Sequence, residues 1–131
     1  MKTTIESKIL WFATYLLPIA PAVWLGIAIL AGATTANPVQ YLERRTGDYA
    51  LVMLLLSLTS TPLRWLTGKS FFKPMRRSFG LYTFFYAAAH FLLFIGLDYS
   101  WNLSLIRQAF TGKTFLWLGL AALTILLVLA I

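Results

Sequence analysis

Long apolar runs without a formal charge divide this sequence and limit what it can fold into. They cover residues 9–31, 49–63, 78–97 and 114–131, and the second extends to about residue 66 if Arg64 is placed at its end. A helix of about 20 apolar residues crosses a hydrocarbon core of about 30 Å, where only helices and closed barrels satisfy their backbone groups. The sequence therefore predicts an all-α polytopic membrane bundle of four transmembrane helices, over residues 9–31, 49–66, 78–97 and 114–131.

The composition supports a membrane protein and excludes several kinds of site. Hydrophobic residues make up 60% of the chain and charged residues 11%, whereas about a quarter of the residues in soluble domains are charged. The absence of cysteine excludes thiolate metal sites, iron–sulfur clusters and disulfides. The net charge of +7 lies mostly in short connections between apolar runs, so it indicates membrane topology and lipid contact rather than nucleic-acid binding.

The basic residues are distributed unevenly between the two sides of a four-helix membrane protein. The connection over residues 64–77 has no acidic residue, and with the N-terminus it carries seven basic ones: Lys2, Lys8, Arg64, Lys69, Lys73, Arg76 and Arg77. The other side has four: Arg44, Arg45, Arg107 and Lys113. The positive-inside rule therefore places the N-terminus and the 64–77 connection in the cytoplasm. We expect the first helix to be retained rather than cleaved as a signal peptide.

Prolines and glycines indicate where the helices bend or begin. Pro18 and Pro21 lie inside the first run and Pro62 lies near the end of the second, so both helices should kink or loosen there. Gly47 and Asp48 suggest the start of the second helix.

The fourth run ends on apolar residues without a polar flank. We expect a chain truncated after its fourth helix, or further helices supplied by another polypeptide.

The single histidine of the chain, His90, is the main candidate functional residue. It lies in the third run, twelve residues after Ser78, which is about 18 Å along a helix and so in the outer half of the membrane. An ionisable side chain at such a place is costly, and a functional role is the first interpretation. Ala87, Ala88 and Ala89 beside it leave room for a flat group or a second helix.

Three roles for His90 stay open at this point. The imidazole is suited to be an axial ligand of haem iron in an apolar pocket. From spacing alone, an interhelical hydrogen bond with Ser57 or Ser60 of the second helix is favoured over this role. A proton relay is the weakest of the three, because we expect no intramembrane Asp or Glu as a partner.

Arg76 and Arg77, at the cytoplasmic start of the third helix, also have two interpretations. They are topology determinants and contacts to lipid head groups, or they bind an anionic phosphate or propionate through their forked donors. A haem at His90 would lie about 20 Å from the cytoplasmic surface. A flavin or a second haem near the two arginines would shorten the electron path.

Two segments of the chain resemble a known family. These are TGDYALVMLLLSLTSTPLRWL, residues 46–66, and MRRSFGLYTFFYAAAHFLLFIGLD, residues 75–98. The Arg76-Arg77 pair, Gly80-Leu81, a histidine ten residues after Gly80, and Thr-Pro-Leu-Arg at residues 61–64 carry the likeness. Together they resemble MsrQ, the family of haem-binding membrane subunits of the MsrPQ methionine sulfoxide reductase system, within the ferric-reductase-like transmembrane superfamily.

The resemblance implies a function, cofactors and partners. It implies a b-type haem electron-transfer subunit in the bacterial inner membrane, rather than a substrate-reducing enzyme, with His90 as a haem axial ligand and no catalytic residue. Electrons would pass from a cytoplasmic flavin reductase to a periplasmic molybdenum-containing MsrP-like partner that repairs oxidised proteins, and flavin mononucleotide (FMN) is a further cofactor.

The resemblance also implies that something is missing from this chain. Members of the family have six helices, and the later ones supply the second axial histidine. Residues 1–131 are therefore expected to form one incomplete ferric-reductase-like transmembrane domain. The alternative function is a non-catalytic four-helix scaffold or assembly fragment that cannot ligate haem alone.

Overall fold

A computed structural model of the protein describes residues 4–32 and 36–131, and every regular element in those ranges is helical. Lys2, which entered the topology prediction, lies outside them. The helices are α1 (Thr4–Tyr15), α2 (Ala20–Leu30), α3 (Pro38–Thr67), α4 (Phe72–Leu93), α5 (Leu103–Gly112) and α6 (Thr114–Ala130). A 3-10 turn (Leu17–Ile19) joins α1 to α2, and a π turn (Phe94–Asp98) extends α4. The predicted all-α fold is confirmed.

The helices are long and apolar enough for a polytopic membrane protein. Three spans qualify by themselves: Ile5–Leu30 with 26 residues, Pro38–Thr67 with 30 and Phe72–Asp98 with 27. The pair α5 and α6 forms a fourth if it is counted as one span, although the two helices meet at an angle of 103°. Large apolar side chains are exposed along the outer faces of these helices, as a lipid solvent permits.

The first span breaks at its prolines, as predicted. Pro18 lies in the 3-10 turn and is buried, and Pro21 lies in the first turn of α2. Two tyrosines of α4 donate hydrogen bonds to carbonyl oxygens at the break, where the 3-10 turn interrupts the α-helical bonding pattern. The Tyr86 hydroxyl donates to the oxygen of Pro18 at 2.5 Å, and the Tyr82 hydroxyl donates to that of Tyr15 at 2.5 Å.

The predicted start of the second helix was wrong. Helix α3 begins at Pro38 rather than at Tyr49, and Gly47 and Asp48 lie inside it. Asn37 caps the helix by accepting a hydrogen bond from the amide of Gln40 at 3.3 Å, with proline at the first helical position. The Asn-Pro pair is the true start signal, and the glycine has another role, described below.

Pro62 lies inside the second helix, near its end. Helix α3 continues through this proline to Thr67 and ends where Gly68 adopts a left-handed conformation with φ of 69°. The expected loosening therefore does not interrupt the helix. Membrane helices tolerate proline where neighbouring groups satisfy the backbone.

The third and fourth runs are helical over most of their predicted lengths, with two differences. Helix α4 begins at Phe72 instead of Ser78, so Arg76 and Arg77 lie in its first turns. The connection after it contains the additional helix α5, which Asn102 caps by accepting bonds from two backbone amides. Trp117 joins α6 to α5 by donating from its indole nitrogen to the carbonyl of Phe110 at 2.8 Å.

The pair α3 and α4 forms the centre of the bundle. Met53 of α3 packs with Phe79 and Tyr86 of α4, and Tyr49 meets the Tyr86 ring edge-on at 5.8 Å between centroids. This packing sets the register of the two helices. It brings the C-terminal end of α4, which carries His90, against the first turns of α3.

Candidate functional site

The His90 imidazole is hydrogen-bonded to the backbone of α3. Its Nδ1 lies 2.7 Å from the carbonyl oxygen of Glu43, with the Thr46 hydroxyl as a longer contact at 3.4 Å. A carbonyl oxygen only accepts, so Nδ1 must carry the proton. In the neutral imidazole Nε2 then has a free lone pair, and no hydrogen bond to Nε2 is found within residues 4–32 and 36–131. This is the tautomer that binds a metal through Nε2.

Gly47 has no side chain and so allows the His90 imidazole to approach the α3 backbone closely. A Cβ atom at this position would lie 3.3 Å from both Cε1 and Nδ1 of His90, closer than ordinary van der Waals contact. Glycine in a helix interior costs about 1 kcal/mol relative to alanine. Its presence here is explained by the close approach of the ring to the α3 backbone.

Thr46 and Glu43 are the other two residues of α3 that lie against the His90 imidazole. Thr46 is 5% exposed, and its hydroxyl donates to the carbonyl oxygens of Leu42 at 2.9 Å and Glu43 at 3.0 Å. The Oε1 atom of Glu43 is buried and has no hydrogen-bond partner in the described part of the chain. An acidic residue that the sequence did not single out, Glu43, therefore lies beside His90, on a helix long enough to span a membrane.

Sequence reasoning missed these three residues of α3, although a signal for them existed. Glu43, Thr46 and Gly47 follow helical spacing, with the second three and the third four residues after the first, so they share one helix face. That face can be recognised only if the helix is taken to begin at Pro38, with Asn37 as its cap. A helix starting at residue 49 excludes all three.

The predicted serine partners of His90 were wrong. The Ser57 hydroxyl donates to the carbonyl oxygen of Arg76 at 2.9 Å, and the Ser60 hydroxyl donates to that of Leu56 at 2.8 Å. His90 does make an interhelical hydrogen bond, but its acceptor is a backbone carbonyl. Because this bond uses Nδ1 alone, the hydrogen bond and metal ligation are compatible roles.

The arrangement suits one kind of metal site. No group of three or more His, Cys, Asp or Glu side chains comes together among the described residues, so a site built from several side-chain ligands is not formed there. A single imidazole whose Nδ1 proton is held by a carbonyl is a fitting axial ligand for haem iron. His90 is an exposed residue, and the three residues before it, Ala87, Ala88 and Ala89, are half-buried. The residues present fit one axial position of a haem.

Arg76 and Arg77 lie at the other end of α4. They are fourteen and thirteen residues from His90 on one helix, which is about 20 Å along the axis. With Lys73 they line a cleft of about 300 Å³ between α3, α4 and α6. The structure therefore does not bring the arginines to the histidine.

Comparison with known proteins gives one family. The model of the ferric reductase like transmembrane component family matches residues 46–131. Among curated relatives, a protein-methionine-sulfoxide reductase heme-binding subunit MsrQ of Rhodospirillum rubrum is 37% identical over 119 residues, which cover 91% of this chain and 57% of that protein. No solved structure matches the chain.

Two further relatives carry the same name. The MsrQ of Bordetella pertussis is 38% identical over 94% of this chain and 58% of its own length. That of Xanthomonas euvesicatoria is 38% identical over 98% of this chain and 61% of its own length. The chain thus spans less than two thirds of the length of the relatives it matches.

Proposed function

This chain belongs to the ferric reductase-like transmembrane family, and from that premise we propose that it is a membrane haem electron-transfer subunit of MsrQ type. The relatives named as heme-binding MsrQ subunits support this assignment. The protein would carry electrons for a methionine sulfoxide reductase system without reducing the substrate itself.

One observation carries the proposal for haem. The Nδ1 atom of His90 donates its proton to the Glu43 carbonyl at 2.7 Å, which leaves the lone pair of Nε2 available on an exposed residue. A hydrogen bond of this kind orients the ring and increases its basicity. His90 is the proposed axial ligand of haem b.

The residues of this chain have distinct parts in the mechanism. Gly47 admits the ring, the Glu43 carbonyl holds the Nδ1 proton throughout, and the packing of Tyr49 against Tyr86 keeps α3 and α4 in register. A bound haem supplies a one-electron carrier. Because Nδ1 keeps its proton and its partner, no proton needs to leave the imidazole when an electron arrives or departs.

The direction of electron flow and the partners are part of the proposal. The uneven distribution of basic residues supports a multi-pass protein of the bacterial inner membrane with a cytoplasmic N-terminus. We take a cytoplasmic flavin reductase as the donor and a periplasmic MsrP-like molybdenum reductase as the acceptor, because the family resemblance implies both. FMN is proposed on the same resemblance.

Arg76 and Arg77 are proposed contacts for an anionic group. Their separation from His90 is about 20 Å along α4, and the anion is a propionate or a phosphate. A phosphate is the simpler partner, since both guanidinium groups line the same cleft as Lys73.

Visible spectroscopy tests the haem proposal. The purified chain, supplemented with haem in detergent, is expected to show a redox-active haem spectrum that His90→Ala abolishes. Leu92→Ala is the matched control, because Leu92 lies on the same helix and is 55% exposed. A spectrum that persists in His90→Ala would remove His90 as the ligand. A colourless but folded wild-type protein would instead favour the scaffold or assembly function.

A further inference from the structure

The cleft at the inner end of the bundle combines positive charge with apolar walls. Lys73, Arg76 and Arg77 project from the first turns of α4 along one side of it. No Asp or Glu side chain is among the residues that line the cleft. The three basic side chains therefore make this part of the lining suited to an anion.

The rest of the cleft lining is mostly apolar and lies between three helices. Its walls are formed by leucines of three helices: Leu54 and Leu58 of α3, Leu81 of α4, and Leu126 and Leu129 of α6. Gly80 lines it as well, and a Cβ atom there would reach only ordinary contact distance, 3.5 Å, from the Ser57 hydroxyl. A flexible hydrocarbon chain fits such a surface.

The lining is poorly suited to a flavin ring or a nucleobase. It contains no aromatic side chain for stacking. Its one uncharged polar side chain, Ser57, already donates its proton to the carbonyl oxygen of Arg76 at 2.9 Å. A planar heterocycle would have few polar partners in the apolar part of the cleft, whereas an acyl chain requires none.

We propose that this cleft binds an anionic phospholipid of the leaflet on that side of the membrane. The phosphate lies between Lys73, Arg76 and Arg77, and one acyl chain runs between the leucines of α3 and those of α6. Anionic lipids are concentrated in the cytoplasmic leaflet, and each nearby basic residue strengthens their binding. The site is independent of haem binding at His90.

Native mass spectrometry of the purified full chain in detergent tests the site. The probe is phosphatidylglycerol, with zwitterionic phosphatidylethanolamine and FMN titrated in parallel. Phosphatidylglycerol is expected to bind most tightly, and each of the substitutions K73Q, R76Q and R77Q should weaken it about fivefold, with about a hundredfold loss for the three together. The substitutions R64Q and K69Q are the matched control, since these residues carry the same charge nearby but do not line the cleft.

A second pair of variants tests the apolar part without changing charge. Leu126→Trp should fill the wall of the cleft and reduce phosphatidylglycerol binding about tenfold, whereas Val128→Trp on the 68% exposed face of the same helix should not. Equal binding of the zwitterionic lipid, equal losses in the control variants, or no loss in the triple variant would overturn the proposal. Tighter binding of FMN than of phosphatidylglycerol, with loss in the triple variant, would assign the cleft to the flavin instead.

Discussion

The Nδ1 atom of His90 donates to the backbone carbonyl of Glu43 at 2.7 Å, across the contact between α4 and α3. The acceptor is a main-chain atom, so no side-chain substitution at residue 43 removes it directly. The orientation of the His90 ring therefore depends more on the path of the α3 backbone than on the chemistry of the α3 side chains.

Gly47→Ala should disturb the histidine. The new methyl group would lie 3.3 Å from two ring atoms, so the imidazole must shift by a few tenths of an ångström and lengthen its bond to the Glu43 carbonyl. Loss of such a second interaction typically reduces metal-site affinity 10- to 100-fold. We expect about a tenfold weaker haem affinity, measured by haem titration in detergent.

Gly119→Ala is the control for that substitution. Gly119 lies in helix α6, and no atom lies within 4 Å of the place that a new methyl group would take. Alanine there should leave haem affinity unchanged and favour the helix by up to about 1 kcal/mol. Equal haem affinity in both variants would contradict the proposed role of Gly47.

Glu43→Gln should leave haem ligation intact. The carboxylate makes no hydrogen bond through its buried Oε1 in the described part of the chain, and the atom that holds His90 is the main-chain oxygen. The substitution keeps the size of the side chain and the helical path. We expect an unchanged haem absorption spectrum and a haem affinity within about twofold of wild type. A lost or shifted spectrum would mean that the carboxylate itself acts on the ligand.

Tyr86→Phe should weaken the attachment of the proline break to α4. The substitution removes the hydroxyl that donates to the Pro18 carbonyl at 2.5 Å but retains the ring, which packs with Met53 and Phe79. Interhelical hydrogen bonds in membranes contribute about 0.5–2 kcal/mol. We expect a loss of about 1 kcal/mol in the free energy of unfolding, measured by denaturant titration in detergent micelles.

The matched control is Tyr49→Phe. Tyr49 belongs to the same aromatic contact, at 5.8 Å between ring centroids, but its role there is ring packing. Its substitution should change the free energy of unfolding by less than about 0.5 kcal/mol. Equal effects of both changes would show that the Pro18 bond contributes nothing specific.

The sequence predicted the helical fold well because transmembrane length and lack of charge are local properties. It failed at residues 38–48, where Glu43, Arg44, Arg45 and Asp48 resemble a polar connection. A membrane helix can extend into the head-group region, where charges are tolerated. Helix α5 was missed for a related reason, since ten residues are too few for a span.

The role of His90 as a candidate ligand was predictable, whereas its partner was not. Residue type identified the imidazole, because it is the single histidine in an apolar run. Every residue has a carbonyl, so the choice of Glu43 depends on helix register, which packing between distant segments determines. Ser57 shows the same limit, since its acceptor is also a main-chain oxygen, that of Arg76.

The interhelical hydrogen bonds of His90 and Ser57 together fix the register of α3 against α4. Glu43 and Ser57 are separated by fourteen residues on α3, and Arg76 and His90 are separated by fourteen on α4. Sliding either helix along the other would therefore break both bonds at once. The two bonds therefore hold α3 and α4 at one relative position, with the histidine at one end of their contact and the basic cleft at the other.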